Sequence, residues 1–109
     1  MNRTALALVL TIAAAPVQSQ IYGSHLSEWC AQFPDVAAGY VTGVINGISI
    51  AHENSDLEGD QRFCIPPHAT MLHLSDIVCA HVASHPILVE ARAPHLVSYS
   101  IRQAMPCPD

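Results

Sequence analysis

The sequence predicts an all-α fold, a small disulfide-stapled bundle of about four helices. Three observations predict it. Apolar residues recur at spacings of three and four in several stretches, which is the periodicity of an amphipathic helix. The longest such stretch has a helix start signal at Thr70 and a stop signal at Pro86. Four cysteines, an even number, suit a small domain that needs covalent support for its core.

Residues 1–19 are expected to be a signal peptide rather than part of the fold. Arg3 supplies the positive start, residues 5–17 are apolar, and cleavage is expected after Ser19. The apolar run is short for a bilayer-spanning helix, and an uncleaved anchor is the alternative. Residues 20–109 would then form a single exported helical domain that is not membrane-associated after cleavage. In an oxidising compartment its cysteines are expected to form disulfides.

The stretch from Cys64 to Pro86 contains the clearest helix, predicted over residues 70–84. The Thr70 hydroxyl can accept a hydrogen bond from a backbone N–H one turn later, as an N-cap does. Pro86 cannot continue a helix and disfavours helical geometry at His85. The apolar positions at helical spacing are Met71, Leu74, Ile77, Val78 and Val82.

Two helices are expected before this stretch. The first is short, contains Trp29 as a core anchor, and would be capped by Ser24 or Ser27. The second covers residues 36–51, with Asp35 as its N-cap.

Glycine recurs every fourth residue on one face of the second helix, at Gly39, Gly43 and Gly47. Each glycine costs a helix about 1 kcal/mol relative to alanine. We therefore expect another backbone to pack close to this face. A membrane dimerisation helix is the alternative, but the stretch is short and carries polar residues such as Thr42 and Asn46.

The last helix is expected to begin at Ala93-Pro94, because proline is tolerated in the first turn. The connection over residues 85–92 could be partly extended or helical. Residues 106–108, Pro-Cys-Pro, end the helix.

Residues 52–63 form the main loop and hold the most acidic surface of the chain. This loop is either a solvated connector or the place where a basic partner docks. Its carboxylates, the candidate partner-binding residues, are Glu53, Asp56, Glu58 and Asp60.

The charge of the chain argues against nucleic acid as a partner. There is no lysine, and residues 20–109 carry three arginines against nine carboxylates, a formal charge of −6. Nucleic-acid affinity comes largely from neutralisation of phosphates by Lys and Arg. An acidic surface suits a basic protein partner, although solubility alone also explains the charge.

Four cysteines allow three pairings. An antiparallel arrangement of the three longer helices would place Cys64, before the central helix, beside Cys107, after the last one. It would also place Cys30 beside Cys79. We favour these two pairs, and a Cys30–Cys64 link would reject the topology.

No residue constellation indicates an enzyme. His81 and His85 are four apart on the central helix, with His73 two turns earlier, and they are the candidate metal ligands. There is no HExxH, no GxSxG and no glycine-rich phosphate loop. We predict no catalytic residue, no metal and no cofactor, and histidines that lend some pH sensitivity.

Three segments resemble the Rap/Tai family of immunity proteins, small exported proteins of Gram-negative bacteria. Together they cover most of residues 36–108 in the family's order. The matching segments are Gly39-Tyr40-Val41-Thr42-Gly43-Val44; Phe63-Cys64-Ile65-Pro66 with Thr70, Leu74, Val78 and His85-Pro86; and Leu96-Val97 through Met105-Pro106-Cys107.

The chain departs from that family pattern at two positions. Ala37 stands where many members have a cysteine, and Cys79 stands where an aliphatic residue is more usual. These departures fit a pairing of Cys30 with Cys79 in place of a cysteine near residue 37.

The resemblance implies an all-α fold, often dimeric, in the periplasm. It also implies protection against type VI secretion effectors, notably peptidoglycan amidases, whose cleft a protruding segment would block. Two other interpretations stay open: a general periplasmic binding or acid-stress helper without an effector partner, and an accessory structural subunit.

Overall fold

The computed structural model describes residues 20–53 and 63–108, and it is a bundle of four α-helices. Their bounds are Gly23–Gln32 (α1), Pro34–Glu53 (α2), Met71–Ser84 (α3) and Ala93–Ala104 (α4), with a 3-10 helix over Pro86–Glu90. Each α-helix contacts the other three. Within the described residues the only β-type pairings are two isolated bridges, Tyr22 with Arg92 and Phe63 with Pro106. The all-α prediction is confirmed.

The start of α1 differs from the prediction, because neither Ser24 nor Ser27 caps it. Tyr22 is the N-cap, and its backbone N–H donates to Nδ1 of His25 at 3.1 Å. The next N–H, that of Gly23, donates to the carbonyl of Ala91 at 2.7 Å. The hydrogen bond to Ala91, just before α4, therefore determines where α1 begins. The capping residues near the start of α1 could not predict this long-range contact.

Gly23 is buried at the point where α1 meets the 3-10 helix and α4. A Cβ atom at this position would collide with the carbonyl oxygen of Leu88 and lie 2.8 Å from Cδ1 of Leu96. Only glycine lets these three elements approach so closely.

The start of α2 also differs by two residues from the prediction, so Asp35 is not its N-cap. The Phe33 carbonyl accepts from the Ala37 N–H at 3.1 Å, while the Phe33 N–H donates to the Trp29 carbonyl at 2.8 Å. Phe33 is thus the C-cap of α1 and directly precedes α2. Pro34 occupies the first helical position, where a backbone N–H would have no partner within the helix. Asp35 lies in the first turn, where a carboxylate favours the helix dipole.

The glycine face of α2 does not pack against the backbone of any other described element, which corrects that expectation. Gly39, Gly43 and Gly47 are exposed, and a Cβ atom added to any of them would meet no other part of residues 20–53 and 63–108 within 4 Å.

Crossing a bilayer would take a longer and more apolar helix than any found in residues 20–53 and 63–108.

The prediction for the central helix is confirmed at both ends of α3. The Thr70 hydroxyl accepts from the His73 N–H at 3.1 Å, and the helix ends at Ser84 with His85 as its C-cap. Residues 86–90 of the connection turn out to be 3-10 helical. The last helix begins at Ala93, as expected.

The core lies where α2, α3 and α4 face one another, with α1 closing one side. Ser100, buried on α4, satisfies its hydroxyl by donating to the Leu96 carbonyl at 2.6 Å. Trp29 is half-buried against the core and meets Tyr40 edge to face, with ring centroids 5.5 Å apart. The buried apolar residues are Leu26, Ala37, Val41, Ile45, Phe63, Leu74, Val78, Val82, Ala93, Leu96, Val97 and Ile101.

Two disulfides join the ends of the bundle in the expected pairs. Cys30 is bonded to Cys79, and Cys64 to Cys107. The first bond ties α1 to the later part of α3. The second ties the chain before α3 to the chain after α4, as an antiparallel arrangement of these helices requires.

Candidate functional site

The acidic segment, residues 53–60, follows directly from the end of α2. Glu53 is the last residue of that helix, while Asp56, Glu58 and Asp60 lie outside the described residues. The residues that flank the segment are described. The rings of His52 and Phe63 are in contact, with centroids 5.5 Å apart. The chain therefore leaves the bundle and returns to it at nearly the same place.

Several contacts fix the place where the chain returns. Phe63 is buried in the core and forms a bridge with Pro106. The Cys64 N–H donates to the Met105 carbonyl at 2.9 Å, next to the Cys64–Cys107 disulfide. The acidic segment is thus attached to a rigid base made by the ends of α2 and α4.

The histidines considered as metal ligands form a smaller cluster than a metal site needs. The rings of His81 and His85 stack with centroids 4.4 Å apart. Nδ1 of His85 lies 2.9 Å from the His81 carbonyl oxygen and 3.0 Å from the Ser84 hydroxyl. His73 lies two turns away, and no group of three or more His, Cys, Asp or Glu suited to a metal occurs in the described residues.

His81 makes this cluster sensitive to pH. Burial, with a smaller contribution from neighbouring His85, lowers the pKa of His81 below 6.5. Nε2 of His81 is buried and finds no hydrogen-bond partner among the described residues. The His81 ring also contacts the Tyr99 ring, with centroids 5.4 Å apart. The folded state therefore favours the neutral imidazole.

We expect the chain to lose stability as the pH falls below about 6.5, because the unfolded state then binds a proton that folded His81 resists. His81→Gln should reduce the fall in the free energy of unfolding between about pH 7.5 and pH 5. Urea titrations at both pH values measure it. His73→Gln, which removes an exposed imidazole from the same helix, is the control and should keep the wild-type fall. An equal fall in both variants would contradict the role of His81.

A groove between α2 and α4 was not foreseen from the sequence. Two adjoining cavities of about 420 and 400 Å³ share Pro94 and His95 as lining residues. The α2 side is lined by Tyr40, Val44, Ile48, Ala51 and His52, and the α4 side adds Arg92, Ser98 and Arg102. Tyr40, Val44 and Ile48 recur every four residues in the sequence, but the same spacing is expected of a helix face that packs into the core.

The described residues thus offer surfaces for binding and no assembled reaction centre. The fold and its disulfides define a small, covalently braced helical domain. The chain belongs to the Rap1a immunity protein family, whose model matches residues 22–107. Its family implies an effector as partner, and immunity proteins are typically non-catalytic.

Neither the curated proteins nor the solved structures compared with the chain gave a match.

Proposed function

We propose that the protein is exported to the periplasm, where it binds and occludes a toxic peptidoglycan amidase effector of a type VI secretion system. The match to the immunity family over residues 22–107 is the observation that carries this proposal. In this proposal residues 1–19 are the signal peptide. Two disulfides suit the oxidising compartment to which it would lead. Association into a homodimer, which the family resemblance implies, is part of the same proposal.

The proposed contact with the effector is the acidic segment. Carboxylates at Glu53, Asp56, Glu58 and Asp60 would meet a basic surface around the amidase cleft and speed the encounter. A segment attached to a rigid base loses less conformational freedom on binding than one on a loose linker, which favours affinity. Occlusion requires no catalytic step by this chain. The segment only has to keep the peptidoglycan substrate out of the amidase cleft.

The segment is tested by reversing its charge. The quadruple variant with Lys at residues 53, 56, 58 and 60 should bind the effector at least about a hundredfold more weakly, since the loss of a single buried charge pair costs about 2–5 kcal/mol and a hundredfold corresponds to about 2.7 kcal/mol. Surface plasmon resonance with the effector measures the affinity. The matched control places Lys at four carboxylates outside the segment: Glu28, Asp35, Asp76 and Glu90, all exposed. Equal loss in both variants would mean that net charge, not this segment, matters.

The wider function is tested with a peptidoglycan amidase, taken from the gene next to the one for this protein where that gene encodes one. The mature chain should abolish peptidoglycan hydrolysis by that enzyme at equimolar concentration. Hydrolysis that continues while client proteins are protected at low pH would favour the acid-stress helper instead. A metal-dependent hydrolytic activity of the chain itself, lost on substitution of His81 or His85, would reject the non-catalytic proposal.

A further inference from the structure

The groove between α2 and α4 has the properties of a docking site. We propose that it binds an acidic amphipathic helix of a partner protein, with apolar side chains on the groove floor and carboxylates toward its basic rim. This inference does not depend on the immunity role, because it rests on the groove alone.

The floor of the groove is apolar and follows α2. Tyr40, Val44 and Ile48 are half-buried and pack against the core from one side, while the other side of each faces the groove. Ile21 and Pro94 extend this apolar surface at the α1 and α4 edges. A helix bound here would remove the exposed parts of these side chains from water, and about 25 cal/mol per Å² is gained in that way.

The rim of the groove is basic, although the mature chain is acidic overall. Arg92 and Arg102 are two of the three arginines in residues 20–109, and both line the groove, although Arg102 already has an interaction within the chain. His52 and His95 lie beside them. Among the described lining side chains there is no Asp or Glu. The described lining thus carries positive charge from arginine and none of the negative charge of the chain, which favours an acidic partner segment.

Of the two arginines, Arg92 is the better placed to bind a carboxylate of a partner. Its side chain is exposed at the start of α4 and forms no ion pair with any residue that the structure describes. A guanidinium binds a carboxylate through two parallel hydrogen bonds, a stronger contact than a neutral one. His95 lies one turn further along α4, so two carboxylates one turn apart on a partner helix could meet the two side chains.

The shape of the groove favours a helix over a small molecule. It is open to solvent along its length and runs from Tyr40 to His52 on α2. Twelve residues of α-helix span about 18 Å, so the groove accommodates about three turns of a bound helix. Two helices side by side leave the kind of furrow in which a third packs by its i, i+4, i+7 side chains.

The test uses synthetic peptides and the mature protein, residues 20–109. The probe is a helical peptide of about 14 residues with leucines at i, i+4, i+7 and i+11 flanked by glutamates. Isothermal titration calorimetry measures affinity, and ¹⁵N–¹H NMR shifts locate binding. We expect the shifts to cluster at residues 40–52 and 92–102. A peptide with lysine for each glutamate, and one with the same composition but dispersed leucines, should bind at least about tenfold more weakly.

Two matched variants separate the groove from net charge. His95→Glu and His73→Glu place the same carboxylate at the third position of α4 and α3, and both histidines are exposed. We expect His95→Glu to weaken binding about tenfold and His73→Glu to leave it unchanged. Arg92→Ala should weaken it to a similar degree. No binding of the acidic peptide, equal affinity for the lysine peptide, or equal loss in the two variants would overturn the proposal. Displacement of the peptide by dodecanoate with higher affinity would assign the groove to an acyl chain and overturn it too.

Discussion

Replacing Cys64 and Cys107 together with alanine is expected to lower the free energy of unfolding by about 4 kcal/mol. The bond closes a segment with a sequence separation of 43 residues, and opening it returns that freedom to the unfolded chain. In a domain of this size the total stability is only about 5–15 kcal/mol, so the loss is a large part of it. Urea denaturation of the mature protein, followed by circular dichroism, measures the change.

The other disulfide is the natural comparison. Cys30 and Cys79 are 49 residues apart, so the chain-entropy account predicts nearly the same loss for their double alanine variant. The loss from either pair is therefore expected to be about 4 kcal/mol. A loss below about 1 kcal/mol for the Cys64–Cys107 pair would contradict the chain-entropy account, which places the effect of the bond in the unfolded chain.

Replacing Gly23 with alanine is expected to destabilise the bundle by about 1–3 kcal/mol. The added methyl group would meet the Leu88 carbonyl oxygen, which is backbone and cannot rotate away, as well as the Leu96 side chain. Relief requires the 3-10 helix to move from α1, which strains the hydrogen bond from the Gly23 N–H to the Ala91 carbonyl. Thermal and urea unfolding of the variant measure the cost.

Gly43→Ala is the matched control, because it adds the same methyl group where no other described element comes within 4 Å. Alanine is the better helix former, so this variant should be stabilised by up to about 1 kcal/mol. The two substitutions should thus change the free energy of unfolding in opposite directions. Destabilisation by Gly43→Ala would mean that the glycine face of α2 is covered in solution.

The parts of the fold that the sequence predicted are those governed by local rules. The hydroxyl of Thr70 and the ring of Pro86 act within one turn of their own positions, so the ends of α3 could be foreseen. The disulfide pairs followed from helix order alone, since antiparallel packing brings the chain before α3 to the chain after α4.

The predictions that failed depended on contacts distant in sequence. Tyr22 caps α1 because its neighbour Gly23 is bonded to Ala91, nearly seventy residues away. The glycines of α2 recur at the spacing expected of a close-packed helix face, yet they are exposed. Gly23 belongs to no such repeat, yet it lies in tight contact with Leu88 and Leu96. The spacing of the glycines shows that one helix face lacks side chains, but it does not show what packs against that face.

The candidate surfaces were foreseen unequally. The acidic segment is contiguous, so its charge could be read directly from residues 52–63. The basic groove is assembled from two helices some fifty residues apart, and its arginines are lost in the net negative charge of the chain. Only the packing of α2 against α4 brings the apolar side chains of α2 beside the arginines of the α4 side.

The contact between His52 and Phe63 has an evolutionary consequence. Because the chain leaves and re-enters the bundle at one point, the intervening residues can change in number and kind without altering the helices. Doubling the length of such a connection costs only about 0.6 kcal/mol. Under the proposed function, the scaffold can therefore change the sequence of its contact segment while its core stays under separate selection.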